Sequence, residues 1–373
     1  MHSQKSIWIC HLGNPLLDSR VNNLYNSLKE CGYSVKVTAF DLYTKNFKKV
    51  SGDITIFPLE RKKPSSKFYF NFARILCGEL KKSRADIYFA EDIYTLPFVA
   101  FYARKNKGKL IYNSRELYAF LGGHAKKKYL SFILRTIEKF FIKKCDLVLT
   151  TGELDTQFIE KMYSISNVIT VRNIPDYIKP DSPVDLRKEL NIPEDKVILL
   201  YQGVLLKGRG IQKVFKALQK IDNAVFLILG DGEQRKNFGT LAEEYGVAHK
   251  VIFYGMVPNS RLINYSAAAD AGIALIENIS LSYYYALPNK LFEYIMAGVP
   301  VISSTLPQMK KIVDEYSVGI TANAENEEDV YTAIRDFIAD RDGMKKYKEN
   351  CLNAAKELNW QKEFEILKKY LPD

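Results

Sequence analysis

The chain has 373 residues, 47% of them hydrophobic and 26% charged, with a formal net charge of +11. That length accommodates two α/β domains, and the composition excludes disordered and collagen-like chains. Five scattered cysteines without a C-x-x-C pair argue against a disulfide framework and a cysteine zinc site and fit a reducing cytoplasm, while no run of 18 apolar residues is available to span a bilayer.

The first apolar run, Ile7-Trp8-Ile9-Cys10, is too short for a secretory signal and reads as a first strand. In chain order, β-branched and aromatic runs predict further strands at Ser34–Phe40, Ile54–Leu59, Ile87–Ala90, Lys109–Tyr112, Leu147–Thr150 and Val168–Val171. Helical patterns begin near Asp18, Lys67, Tyr94, Ala125 and Leu154. Prolines 175, 180, 183 and 193 interrupt regular structure, and the scheme then restarts. Strands follow at Val197–Tyr201, Val225–Leu229, Val251–Tyr254, Ala271–Ile276 and Pro300–Ser303, with helices near Gly210, Glu233, Asn259, Pro288 and Gln308 and a last one over about Trp360–Tyr370. Strict alternation predicts parallel sheets with crossover helices, hence two Rossmann-like domains with ligands at the carboxyl ends of the strands in a cleft between them. The expected division is 1–182, 183–355 and a C-terminal helix, 356–373, packing back toward the first domain.

The charge is uneven. Residues 1–185 hold 30 Lys+Arg against 18 Asp+Glu, whereas residues 186–373 hold 24 against 25. A basic first half points to a polyanionic surface partner. Residues 101–150 alone hold 12 basic and 3 acidic residues. The stretch from Ala125 to Lys144 puts Leu130, Ile133, Leu134, Ile137 and Phe141 on one helical face and Lys128, Arg135 and Lys139 on another, a pattern that suits an anionic membrane surface as well as a plain core helix. Arg61-Lys-Lys63 with Phe68-Tyr-Phe70 points the same way.

Three stretches of the second half carry chemistry. In Tyr201-Gln-Gly-Val-Leu-Leu-Lys-Gly-Arg-Gly210, glycines 203, 208 and 210 let backbone amides approach an anion, and Lys207 and Arg209 add positive charge. Leu229-Gly-Asp-Gly-Glu233 is a tight turn between a strand and a helix, with Gly230 and Glu233 as candidate nucleotide neighbours. In Leu287-Pro-Asn-Lys-Leu-Phe-Glu293, Pro288 suits a helix start and Leu291, Phe292, Ile295 and Met296 form a buried stripe. Asn289, Lys290 and Glu293 then share the other face, where a carboxylate accepts both hydroxyls of a ribose and Lys290 with free helix amides meets phosphates.

With these motifs in order, the chain resembles the retaining GT-B glycosyltransferases of the large bacterial group 1 family (glycosyltransferase family four). The resemblance implies two Rossmann-like domains facing a central cleft. It implies that Arg209 and Lys290 contact a diphosphate, Gly255 lies near the base, and Glu293 holds the ribose. Two departures stand out. Many members carry two glutamates eight positions apart; the second matches Glu293, but the first position is Tyr285. An arginine usual after the phosphate-loop glycine is replaced by Val204. The Tyr283-Tyr284-Tyr285 run is the alternative sugar contact.

On the acceptor side, Gly13 and Arg20 flank a helix start capped by Asp18 or Ser19, and Asp92, Arg115 and Glu116 end strands. An Arg115–Glu116 pair is expected to orient an acceptor hydroxyl or form a plain salt bridge, and His124 to reach the transferred sugar from a loop.

The resulting expectation is a cytoplasmic transferase, peripheral on the inner membrane face, that moves a sugar from a nucleotide-diphosphate sugar to a saccharide or lipid-linked saccharide. It needs no metal and no further cofactor, retains configuration, and has no nucleic-acid partner. A non-catalytic nucleotide-sugar-binding subunit or membrane scaffold and a nucleotide-sugar epimerase are the alternatives.

Overall fold

The computed structural model describes residues 4–42, 52–59, 66–121 and 128–372. The chain divides into two units, residues 1–172 with 366–373, and residues 173–365. The proline-rich stretch is held by the second unit. Trp360 donates its backbone N–H to the Pro175 carbonyl at 2.8 Å, and Asn264 Oδ1 accepts from the amides of Asp181 and Ser182.

The first unit is a parallel sheet of β1 (Ser6–His11), β2 (Ser34–Asp41), β3 (Ile54–Pro58), β4 (Ile87–Ala90), β5 (Lys109–Ser114), β6 (Leu147–Thr150) and β7 (Val168–Thr170), in the order β3-β2-β1-β4-β5-β6-β7. Helices Ser19–Glu30, Ser66–Leu80, Leu96–Asn106, Lys128–Ile142 and Glu153–Tyr163 connect the strands. Asp18 caps the first helix by accepting from the Val21 amide at 3.3 Å.

The second unit is a parallel sheet of β8 (Val197–Gln202), β9 (Ala224–Leu229), β10 (Val251–Gly255), β11 (Ala271–Ala274), β12 (Val301–Ser304) and β13 (Gly319–Ala322), in the order β10-β9-β8-β11-β12-β13. Every residue of β8 is buried, as a strand covered on both faces requires. Its alternate residues feed two apolar layers, Ile198 and Leu200 on one face and Val197, Leu199 and Tyr201 on the other.

Strand positions follow the sequence reading to within a residue or two. β13 is absent from that reading, because a four-residue strand opening on glycine carries almost no pattern. Two helices, Glu327–Ala339 and Arg341–Ala354, follow it; the first is capped by Asn326 and opens on three acidic residues that suit the positive end of the helix dipole.

In each sheet the direction of chain progression reverses once, between β1 and β4 and between β8 and β11. At such a point the connections diverge, leaving the carboxyl ends of the two strands open to a ligand.

Candidate functional site

In the second unit, the carboxyl end of β8 meets the helix Asn289–Met296, which follows β11. Pro288 precedes the helix in an extended conformation, and the Leu291 amide closes on the Pro288 carbonyl at 3.1 Å. Leu291, Phe292, Ile295 and Met296 anchor the helix in the core, and so does Tyr294. The Tyr294 hydroxyl donates to the Leu200 carbonyl and accepts from the Gln202 amide, both at 3.0 Å, locking the helix to the end of β8.

Lys290 is buried, although a lysine in a first turn reads as solvent-facing. Its ammonium lies 3.5 Å from the centre of the Tyr201 ring and beside Gly203, where a Cβ added to that glycine would stand 3.6 Å away. It makes no ion pair or hydrogen bond among the described residues. Burial holds Lys290 well below its ordinary pKa, Arg209 pushes the same way, and Glu293 opposes both. A buried cation in this condition is stabilised by an incoming anion, and strongly perturbed groups of this kind concentrate at functional sites.

Glu293, half-buried, lies one turn on. Gln202 donates to its Oε2 at 2.5 Å, and the Gln202 side-chain oxygen accepts from the Ser266 hydroxyl at 2.7 Å. Burial raises the Glu293 carboxyl above its ordinary range, while Gln202 and Lys290 pull it back. Because Gln202 is committed to Ser266 on one side, its amide is oriented and fixes the carboxylate on the other. Glu293 is therefore held by Gln202 rather than by the Lys290 ion pair that helical spacing allows.

The loop after β8 is shaped by glycine. Gly203 has φ 118° and Gly210 φ 69°. A Cβ on Gly210 would meet Leu275 Cβ and the Leu275 carbonyl at 2.5 Å. The Gly203 amide donates to the Leu229 carbonyl at 2.9 Å, and the Gly230 amide to the Gly255 carbonyl at 2.7 Å, so the ends of β8, β9 and β10 are stitched together. Arg209 is half-buried over the ring of Tyr283 at 5.1 Å, and the Tyr283 hydroxyl donates to the Lys207 carbonyl at 3.5 Å.

The structure corrects one element of the expected anion site. The Gly210 amide, at the start of the helix Ile211–Leu218, is engaged by Glu277 Oε1 at 3.2 Å, and the Glu277 amide returns a bond to the Gly208 carbonyl. A carboxylate at a helix N-terminus is favourable, and this one withdraws that amide from a phosphate. The cationic groups left facing the loop are Lys290 and Arg209. Lys207 and Glu233 are exposed, and Glu233 sits in the turn ahead of the helix Arg235–Glu244. Of the three tyrosines, Tyr283 meets the glycine loop. The Tyr285 carbonyl accepts from Gln308 at 2.5 Å.

In the first unit a buried polar cluster gathers at the ends of β1, β4 and β5. Arg115 pairs with Asp18 through two contacts, 2.7 and 2.8 Å, and not with the exposed Glu116. The two partners lie 97 positions apart, which no local spacing reveals. His11 stands 3.4 Å from Asp18 and 3.7 Å from Asp92. Burial alone would raise the Asp18 carboxyl, but Arg115 and His11 outweigh it and hold it well below the carboxylate range. Burial would lower His11, but Asp18 and Asp92 outweigh it and raise its pKa. A Cβ on Gly13 would collide with the His11 ring.

Arg20 is not a surface residue. It is buried and donates to the Val171 carbonyl at 2.8 Å and to Asn113 at 2.9 Å. Asp92 is buried too, accepting from the amides of Leu12 and Thr95 at 2.7 and 2.8 Å. Glu91 is buried with Asn113 donating to one carboxyl oxygen at 2.9 Å, and burial raises its pKa. His124 and Arg61-Lys-Lys63 lie outside the described residues. Sequence reasoning missed Gln202, Ser266, Tyr294, Glu277, His11 and Glu91 as site members. For His11, Glu91, Gln202 and Glu277 the available signal was a polar residue ending or following an apolar strand at the point where the sheet order reverses; Ser266 and Tyr294 lie within helices and carried no such mark. Among the described residues no group of three or more His, Cys, Asp or Glu is placed to hold a metal ion.

The lipopolysaccharide core biosynthesis glycosyltransferase LpsE of Rhizobium meliloti is 25% identical over 154 residues, 41% of this chain and 43% of that protein. The chain spans less than half the length of the curated relatives it matches. Among solved structures, the sucrose-phosphate synthase of Thermosynechococcus elongatus superposes with a TM-score of 0.81 at 18% identity, covering 98% of both chains. HepE of Anabaena, in complex with UDP-glucose, gives 0.71 at 15% identity, covering 98% of this chain and 99% of that one. At these identities the superpositions establish the two-domain GT-B fold. Residues 184–357 match the family model of the glycosyl transferases group 1. That segment, which carries Gln202, Lys290 and Glu293, is similar to the group 1 glycosyl transferases.

Proposed function

We propose that the chain transfers a sugar from a nucleoside-diphosphate sugar to a saccharide or lipid-linked saccharide acceptor, as a step in assembling a surface polysaccharide or glycoconjugate. The observation that carries this reading is the buried Lys290 ammonium beside Gly203, one helical turn from a Glu293 carboxylate fixed by Gln202 and Ser266. A diphosphate supplies the charge Lys290 is missing, and a ribose supplies two hydroxyls to a fixed carboxylate. The UDP-glucose complex of HepE and the lipopolysaccharide role in the name of LpsE support the donor and acceptor classes.

In this reading, the bond between the anomeric carbon and the β-phosphate oxygen breaks and one to the acceptor oxygen forms. The acceptor proton passes to the leaving phosphate on the same face, which retains configuration. Lys290 and Arg209 stabilise the charge that develops on the leaving diphosphate, the work a divalent cation does in other transferases. Metal independence is part of the proposal.

The test is a panel of nucleotide-sugars with saccharide acceptors, read by nucleotide release. Lys290→Ala and Arg209→Ala are expected to lower turnover roughly 10²–10³-fold, as loss of a group supporting the leaving charge does. Unchanged turnover in both overturns the assignment. Nucleotide binding without release from any donor and acceptor favours a non-catalytic subunit.

A further inference from the structure

Of the two cations facing the glycine loop, Arg209 stands on the less rigid backbone. The glycines on either side, Gly208 and Gly210, have φ 75° and 69°, a conformation that glycine adopts freely and does nothing by itself to hold. Arg209 is half-buried and pairs with no carboxylate among the described residues, yet its charge acts on both Lys290 and Tyr201. A long side chain on such a stem has many rotamers, and confining it to one must be offset by contacts.

Those contacts come from the connector between β11 and the helix Asn289–Met296. Glu277 takes hold of the backbone on both sides of Arg209. Its amide donates to the Gly208 carbonyl at 3.1 Å, and its Oε1 accepts from the Gly210 amide at 3.2 Å. Ile279 and Tyr283 cover Gly208 so closely that a Cβ there would stand 2.6 Å from Ile279 Cδ1 and 3.1 Å from Tyr283 Cε1. The Tyr283 ring then lies 5.1 Å from the Arg209 guanidinium, within the range at which a ring face attracts a cation. The connector is itself fixed. Its Asn278 amide donates to Glu325 at 2.7 Å, and Ser280 caps the short helix Leu281–Tyr284 by accepting from the Tyr283 amide at 3.3 Å.

We propose that Glu277 is the positioning residue for Arg209, bracketing its backbone so that the guanidinium, laid on the Tyr283 ring, faces the leaving diphosphate. The inference rests on the transferase reading for the task of Arg209 and adds the residue that aims it. A plain helix cap needs only the Gly210 amide. The second bond, from the Glu277 amide to the Gly208 carbonyl, and the ring beneath the arginine have no part in capping. Because the carboxylate is engaged by the Gly210 amide and does not pair with Arg209, the guanidinium charge stays available for phosphate oxygens.

The experiment is a double-mutant cycle of Glu277→Ala and Arg209→Ala, read as kcat and KM with the donor that the nucleotide-sugar panel selects and as UDP and GDP affinity by calorimetry. Glu277→Ala is expected to lower kcat roughly 10–10²-fold with a smaller change in KM, as a misplaced group in the transition state does. In the Arg209→Ala background the same change is expected to cost nothing more. Glu277→Gln, whose side-chain oxygen still accepts from the Gly210 amide, is expected to recover most of the loss. A crystal structure of Glu277→Ala should show the guanidinium off the Tyr283 ring, a readout that needs no turnover. Losses that multiply in the double variant, a Gln variant as impaired as the Ala one, or an unmoved Arg209 in the crystal would each overturn the proposal. A lower melting temperature with undiminished kcat would also overturn it, leaving Glu277 a helix cap only. If the parent releases no nucleotide from any donor, the transferase reading fails, and the crystal and the nucleotide affinities still decide whether Glu277 aims Arg209.

Discussion

Lys290 links burial to ligand chemistry. In the free protein its pKa lies well below the ordinary lysine value, chiefly through desolvation. The unfolded chain therefore binds the extra proton, so burial of Lys290 costs stability in full below its folded pKa, and that cost shrinks as pH rises from the folded to the unfolded value. A bound diphosphate returns the pKa toward its usual value. Between the free and bound values, binding takes up a proton, and affinity falls as pH rises. Titration calorimetry of UDP and GDP in buffers of different ionisation heat is expected to detect that uptake, and Lys290→Met to abolish both the uptake and the pH slope. A slope that survives the substitution would assign the proton elsewhere. The sequence made Lys290 and Glu293 legible as a pair at helical spacing. It hid their environment, because a lysine carries no mark of burial. Gln202 closes an apolar strand and reads as its last residue, and only the chain returning 64 residues later with Ser266 shows that its amide is committed.

At the scale of elements, the site depends on turns that admit no side chain. Gly230 has φ 150°, and a Cβ there would collide with the Gly203 carbonyl. Gly246 also has positive φ, 69°, yet a Cβ there would meet nothing within 4 Å. Gly246→Ala is expected to cost only backbone strain, roughly 1 kcal/mol. Gly230→Ala adds a steric clash, for a total of about 2–4 kcal/mol. Because it displaces the loop beside Lys290, it should also weaken nucleotide binding where Gly246→Ala does not. Urea midpoints and UDP titration of the two variants check this, and equal effects would mean that the stitching of β8 to β9 is irrelevant to the site. The strands themselves were readable, since sheets covered on both faces demand unbroken apolar runs such as Val197-Ile-Leu-Leu-Tyr201. Helix registers were less so. Ile133 satisfies the apolar period of its helix and still faces solvent, because the period marks a stripe without saying which stripe the sheet takes.

At the scale of the molecule, the chain leaves the first unit after Arg172 and returns to it at Ile366. The returning segment brings the buried Leu367 and Leu371, and the Tyr33 hydroxyl donates to the Pro372 carbonyl at 2.5 Å. Deleting residues 366–373 is expected to destabilise the first unit by about 3 kcal/mol or more, the scale of two buried leucines. Thermal unfolding followed by tryptophan fluorescence in a Trp360→Phe background, where Trp8 is the remaining tryptophan, reads the first unit, and an unshifted transition would mean that the segment contributes nothing to it.

The same connectivity sets an order of assembly. Residues 173–365 form one uninterrupted stretch, so during synthesis that body is whole while the earlier-made one still awaits its closing piece. The half of the molecule born first matures last, and until then it presents its surroundings at the ribosome with an unfinished hydrophobic edge.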